Sequence, residues 1–128
     1  MITRHNPDTV APPANLYCHV VEVPPGARWL HLAGQTGIRP DGTWASDFQE
    51  QHRQIWRNVI AILNDRGMGV EDIVKVVVYA RNEEDVKYLR EGRAEFVGEY
   101  YPASTWCVTG LARPEWLVEM DVVAAKVD

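Results

Sequence analysis

The chain reads as an α+β protein: one mixed sheet with two helices on a single face, in the order β-β-α-β-α-β-β. Three observations predict this. Residues 73–80, Ile-Val-Lys-Val-Val-Val-Tyr-Ala, are a β-branched run of strand length. Phe48, Ile55, Val59, Ile62 and Leu63 recur at helical spacing. Strand-like and helix-like stretches follow one another over 128 residues with no repeat, linker or composition break, which fits one domain spanning 1–128.

Residues 1–16 are rich in Pro, Asn and Asp and read as an extended N-terminal segment, because proline removes backbone donors. Residues 17–23 are the first strand, Pro24-Pro25-Gly26 a turn, and 28–34 the second strand, together a hairpin. Arg39-Pro40-Asp41-Gly42 is a further turn. Ser46 and Gln49 fit a capping box that opens a helix over 47–66, and Gly67 is its C′ stop. The nearly unbroken apolar run at 73–80 suggests a strand buried on both faces. A second helix is predicted over 83–100 with Val86, Leu89 and Phe96 inward, then strands at 104–110 and 116–125. Two helices cover only one face of a sheet, yet apolar residues stand at both parities, as in Val76, Val77 and Val78. The uncovered face is therefore expected to be buried by other subunits.

Composition excludes several classes. Hydrophobic residues at 46% and charged residues at 24% rule out a disordered or low-complexity chain. Thirteen Lys and Arg against eighteen Asp and Glu give a net charge of −5, so nucleic acid is not the expected partner. Cys18 and Cys107 form no C-x-x-C unit, which excludes a disulfide framework or zinc ribbon. Residues 1–13 contain no apolar leader core, and no run reaches the roughly 18 apolar residues of a membrane span. No membrane association and a cytoplasmic location are expected.

One stretch carries most of the functional signal: Gln51, Gln54, Asn58, Ala61, Ile62 and Leu63, then Gly67, then Asp72-Ile73-Val74-Lys75. With Ala33-Gly34-Gln35, Tyr101-Pro102-Ala103 and the closing Glu119-Met120-Asp121 and Ala124, it resembles the RidA/YjgF family of small imine and enamine deaminases. The resemblance implies a chorismate-mutase-like fold and a homotrimer with a small-molecule substrate in clefts between subunits. It implies no cofactor and no metal. It also implies site residues. The family's late Glu, which positions the attacking water, corresponds to Asp121, and the family's early Tyr to Tyr17, although Asn15-Leu16 replaces Gly-Pro. The Arg that follows Pro-Ala and binds the substrate carboxylate is replaced by Ser104. Ala33 replaces the Ser before Gly34, Arg90 corresponds to an Asn of the second helix, and Trp106 stands where Cys is common.

The residue chemistry agrees with parts of this. Hydrolysis of a C=N bond needs a positioned water and a group to take its proton, and Asp121 suits that task. Tyr17 can donate a hydrogen bond, and backbone N–H groups near Gly34 can hold an anion. Ser104 has one hydroxyl donor and no charge where a guanidinium would offer a planar fork. Another cation would then hold an acid, with Arg39, Arg90, Arg93 and Arg113 as candidates. Trp106 has two readings: an apolar wall that widens the range of substrates, or packing at a core or interface. Gln51, Gln54 and Asn58 share a helix side and read as structural hydrogen-bonders. His5, His19, His31 and His52 lack metal spacing, though His19 and His31 are candidate cross-strand neighbours. The main expectation is a deaminase with an altered pocket. A non-catalytic trimer that binds metabolites or proteins is the alternative, and ribonuclease activity, attached to some relatives, is disfavoured by the charge.

Overall fold

A computed structural model describes residues 1–128. Its strands are β1 (Thr3–His5), β2 (Val20–Glu22), β3 (Arg28–His31), β4 (Ile73–Ala80), β5 (Ala103–Val108) and β6 (Val118–Lys126). Its helices are α1 (Phe48–Asp65) and α2 (Leu89–Val97). Four strands form a mixed sheet in the order β3-β6-β4-β5, with β4 and β5 parallel and the other neighbours antiparallel. The predicted class therefore stands: two helices on one face of a mixed sheet. No helix is long and apolar enough to cross a membrane.

The N-terminal third departs from the sequence reading. Residues 1–16 are not merely extended: Thr3–His5 forms a strand that pairs with β2 in a separate two-stranded sheet. The expected hairpin between the first two strands does not form, and β3 pairs with β6 instead. The cause is the turn itself. Pro24 and Pro25 have no N–H to donate, so the chain cannot ladder from β2 into β3. His19 and His31 consequently belong to different sheets. His19 bonds the Ala11 carbonyl at 2.7 Å, and His31 stacks on Trp29.

The first helix lies where its spacing places it, but its cap is Asp47 rather than Ser46. The Asp47 carboxylate accepts the Glu50 N–H at 3.0 Å. At the other end Gly67 has φ of +74°, and the bonds Gly67 N–H to Asn64 O and Met68 N–H to Leu63 O close a Schellman motif. The inward face of α1 buries Phe48, Ile55, Trp56, Val59 and Leu63 against Val76, Val78, Met120 and Val122 of the sheet. The second helical stretch is divided: Glu83–Tyr88 is a 3₁₀ helix and only Leu89–Val97 is α-helical. Gln51 bonds the carbonyls of Ala45 and Glu115, and Asn58 those of Thr36 and Ile38, so both polar residues tie loops to α1.

Side chains alternate across the sheet. In β4 and β6, Val76, Val78, Ala80, Val118, Met120, Val122 and Ala124 turn toward the helices and are buried. Lys75, Val77, Tyr79, Glu119, Asp121 and Val123 turn to the other face and are half-buried in the single chain. β4 is thus buried on one face only within a protomer.

Candidate active site

Two groups of polar side chains arise from this alternation, on opposite faces of the sheet. The first stands on the face without helices. Glu119 and Asp121 are two residues apart on β6 and share that face with Tyr79 of β4. The Tyr79 hydroxyl donates to Asp121 Oδ2 at 3.0 Å, and this bond holds the phenol proton to higher pH than usual. Burial, then the neighbouring Asp121 charge, pushes the Glu119 carboxyl above its ordinary range. Gly34 lies against both carboxylates. A Cβ there would overlap Glu119 Oε2 and stand 3.2 Å from Asp121 Oδ1. This approach follows from an irregularity: between His31 and Gln35 the chain takes one residue more than β6 takes from Val123 to Met120. Tyr79, Glu119 and Asp121 line a hollow of about 340 Å³ with the loop Thr109–Ala112.

The second group lies on the helix side, at the outer edge of β5. Asn15, Tyr17, Ser104 and Trp106 line a pocket of about 230 Å³. Ser104 and Trp106 face the same way because they are two apart on β5, opposite Val76 and Val78. The N-terminal segment closes the pocket, held there by the Cys18 N–H bonded to the Pro102 carbonyl at 3.1 Å. Behind it sits Arg93 of α2, only 1% exposed. Its Nη1 donates to Ser104 Oγ at 2.8 Å and to the Leu16 carbonyl at 3.2 Å, and its guanidinium lies 5.7 Å from the Trp106 ring centroid. Burial lowers the Arg93 pKa to about 10, which leaves it charged at neutral pH. No carboxylate pairs with it.

The residues expected to share a site are therefore divided. Asp121 and Gly34 belong to the carboxylate group, and Tyr17, Ser104 and Trp106 to the edge pocket. Arg90 is exposed at the rim and reaches only Asn15 Oδ1, at 3.4 Å. Ala33 borders a different hollow, with Leu30, Leu32 and Ile62. The sequence reading passed over Glu119 and Tyr79 as site residues, although alternation along β4 and β6 is enough to set both beside Asp121. It left Arg93 unplaced among four arginines. The available signal was a charge in the middle of the buried stripe Leu89, Gly92, Arg93 and Val97.

Residues 8–126 match the family described as endoribonuclease L-PSP. A RutC family protein of Pyrococcus abyssi is 28% identical over 128 residues, covering 98% of this chain and 95% of its own. Another from Aquifex aeolicus is 40% identical over 80 residues, 62% of each chain. Among solved structures, the Rid-family protein YyfB of Yersinia pestis, itself of unknown function, superposes with a TM-score of 0.86 at 26% identity, covering 98% of both chains. RidA from an Antarctic Psychrobacter shares the fold, with a TM-score of 0.73 at 22% identity, covering 97% of this chain and 99% of its own.

Proposed function

The chain belongs to the endoribonuclease L-PSP family, the RidA/YjgF or Rid proteins, and from that membership we propose that it hydrolyses an enamine or imine metabolite in clefts between the subunits of a homotrimer. The pocket differs from the usual 2-imino acid type at Ser104. The observation that carries this reading is the Glu119–Asp121 pair over Gly34, oriented by Tyr79. Water adds to the carbon of C=N while Asp121 accepts its proton, and the C=N electron pair moves to nitrogen. The amino alcohol then loses ammonia and leaves a carbonyl, so imine and water give ketone and ammonia. Nitrogen must be protonated before it departs. Glu119, which keeps its proton to higher pH than an ordinary carboxylate, is the donor. Tyr79 occupies Oδ2 of Asp121 and leaves Oδ1, on the Gly34 side, for the water.

A cleft between subunits is supported by the division of the site. Asp121 and Ser104 face opposite sides of one sheet, so no single pocket of one protomer holds both. A neighbouring copy would set its edge pocket against the carboxylates. The test is ammonia release from freshly generated imines, small and bulky, by the protein and by Asp121→Asn. Turnover that falls at least tenfold in the variant is the expected result. Equal turnover in both removes Asp121 from the reaction.

A further inference from the structure

We propose that the pocket at the outer edge of β5 is a subsite for a small organic acid, in which the Ser104 hydroxyl is the direct donor and Arg93 of α2 is the buried cation behind it. This rests on the reading that the pocket belongs to the active site, and it names the class of substrate that site takes: one that carries a carboxylate.

The pocket has donors in excess. Arg93 has five N–H donors, and only Nη1 is bonded, to Leu16 O and Ser104 Oγ. Because Ser104 Oγ accepts from Arg93, its own proton is free to be donated. Trp106, a lining residue, has a buried indole N–H with no acceptor. Tyr17 adds a phenol. The one carboxamide oxygen, Asn15 Oδ1, is already taken by the Leu16 N–H and Arg90. A buried guanidinium with no counter-charge is costly. A ligand that supplies acceptors and a negative charge removes that cost, whereas a cation or pure donor increases it.

Size and shape narrow the class. About 230 Å³ is smaller than the roughly 300–1,000 Å³ of drug-sized sites, which excludes nucleotides and peptides. Trp106 supplies a flat wall, and Arg93 against it fixes the field on that side. Charge is thus supplied through a neutral hydroxyl rather than by direct contact. Compared with a guanidinium in the pocket itself, this leaves room for a longer or flatter acid. Arg93 is a positioning residue here, and Ser104 makes the contact.

Binding separates this proposal from the deaminase reading, because it needs no turnover. Benzoate and its neutral isostere benzamide are titrated into the intact protein and followed by the Trp106 indole N–H resonance, assigned with Trp106→Phe. Benzoate is expected to shift that resonance and to bind at least tenfold more tightly than benzamide. Arg93→Met is expected to abolish the preference for the acid while benzamide is unaffected, and Arg93→Lys to restore part of it. Ser104→Ala, which spares the buried charge and is expected to fold whatever happens to Arg93→Met, is expected to weaken benzoate several-fold. With any imine the protein turns over, it raises KM and leaves kcat unchanged. Equal affinity for acid and amide, or a Ser104→Ala protein that binds benzoate as the parent does, overturns the proposal. Acid binding without ammonia release from any imine would uphold the subsite and reject the deaminase.

Discussion

Gly34 shows what one missing side chain does. The overlap of an added Cβ is with the far end of Glu119, a flexible carboxylate that can swing away. Gly34→Ala is therefore expected to lower turnover at least tenfold by displacing Glu119 from Asp121, with the melting temperature within about 2 °C of the parent. Gly37 is the contrast. Its Cβ would stand 2.8 Å from Gln51 Cα and 2.9 Å from Gln51 O, and the backbone of α1 cannot yield. Gly37→Ala is expected to cost about 1–3 kcal/mol, read by denaturant unfolding. A Gly34→Ala protein with full activity would detach the glycine from the site. Asp121 and Tyr17 were legible as candidates from the motifs around them. Glu119 and Tyr79 were legible from strand parity once the strands were placed. Arg93 was not, because a guanidinium reaching a hydroxyl eleven residues away depends on how α2 lies across β5.

At the scale of elements, spacing revealed α1, β4 and β6, because each buries one regular stripe. The failures occurred where pairing is decided by partners distant in sequence. The partner of β3 lies nearly a hundred residues away, and nothing local marks β6 as a better partner than β2. The 3₁₀ stretch before α2 follows the acidic run Glu83, Glu84 and Asp85, with no side-chain cap to start an α-helix. The α1–α2 contact has its own chemistry. His52 is 2% exposed, packed on Gly92, and accepts the Trp56 indole N–H at Nε2, which requires the neutral ring. Burial, then the charges of Arg93 and Arg53, pushes its pKa down to about 4 from 6.5. Below pH 6.5 the unfolded chain binds a proton that the folded chain refuses. Stability from His52 is thus fully present above that pH and is lost as pH falls toward 4, by roughly 3 kcal/mol. Urea unfolding at pH 7 and pH 4.5 is expected to show this loss, and His52→Gln to reduce it. An unchanged slope in the variant would assign the acid sensitivity elsewhere.

At the scale of the whole molecule, the sheet presents Val77, Val123 and Tyr79 on a face that no helix covers. Assembly that buries this face is the proposed state, with a mass in solution about three times the 14.5 kDa of the chain. Its functional consequence can be tested with two inactive proteins. Asp121→Asn damages the carboxylate half of the site. Ser104→Asp damages the other half by neutralising Arg93 and repelling an acid. If each cleft takes one half from each of two neighbouring subunits, trimers formed from an equal mixture contain clefts in which both halves are intact. Random assortment makes these about a quarter of all clefts, so unfolding and refolding the two variants together is expected to restore about a quarter of the parent activity. Mixing without subunit exchange restores none. A site contained within one protomer restores none in either case, because every subunit then carries a damaged site. Activity that stays absent after exchange, with mixed trimers verified by mass spectrometry, would return the catalytic site to a single subunit. The opposed faces of Asp121 and Ser104 argue against that outcome.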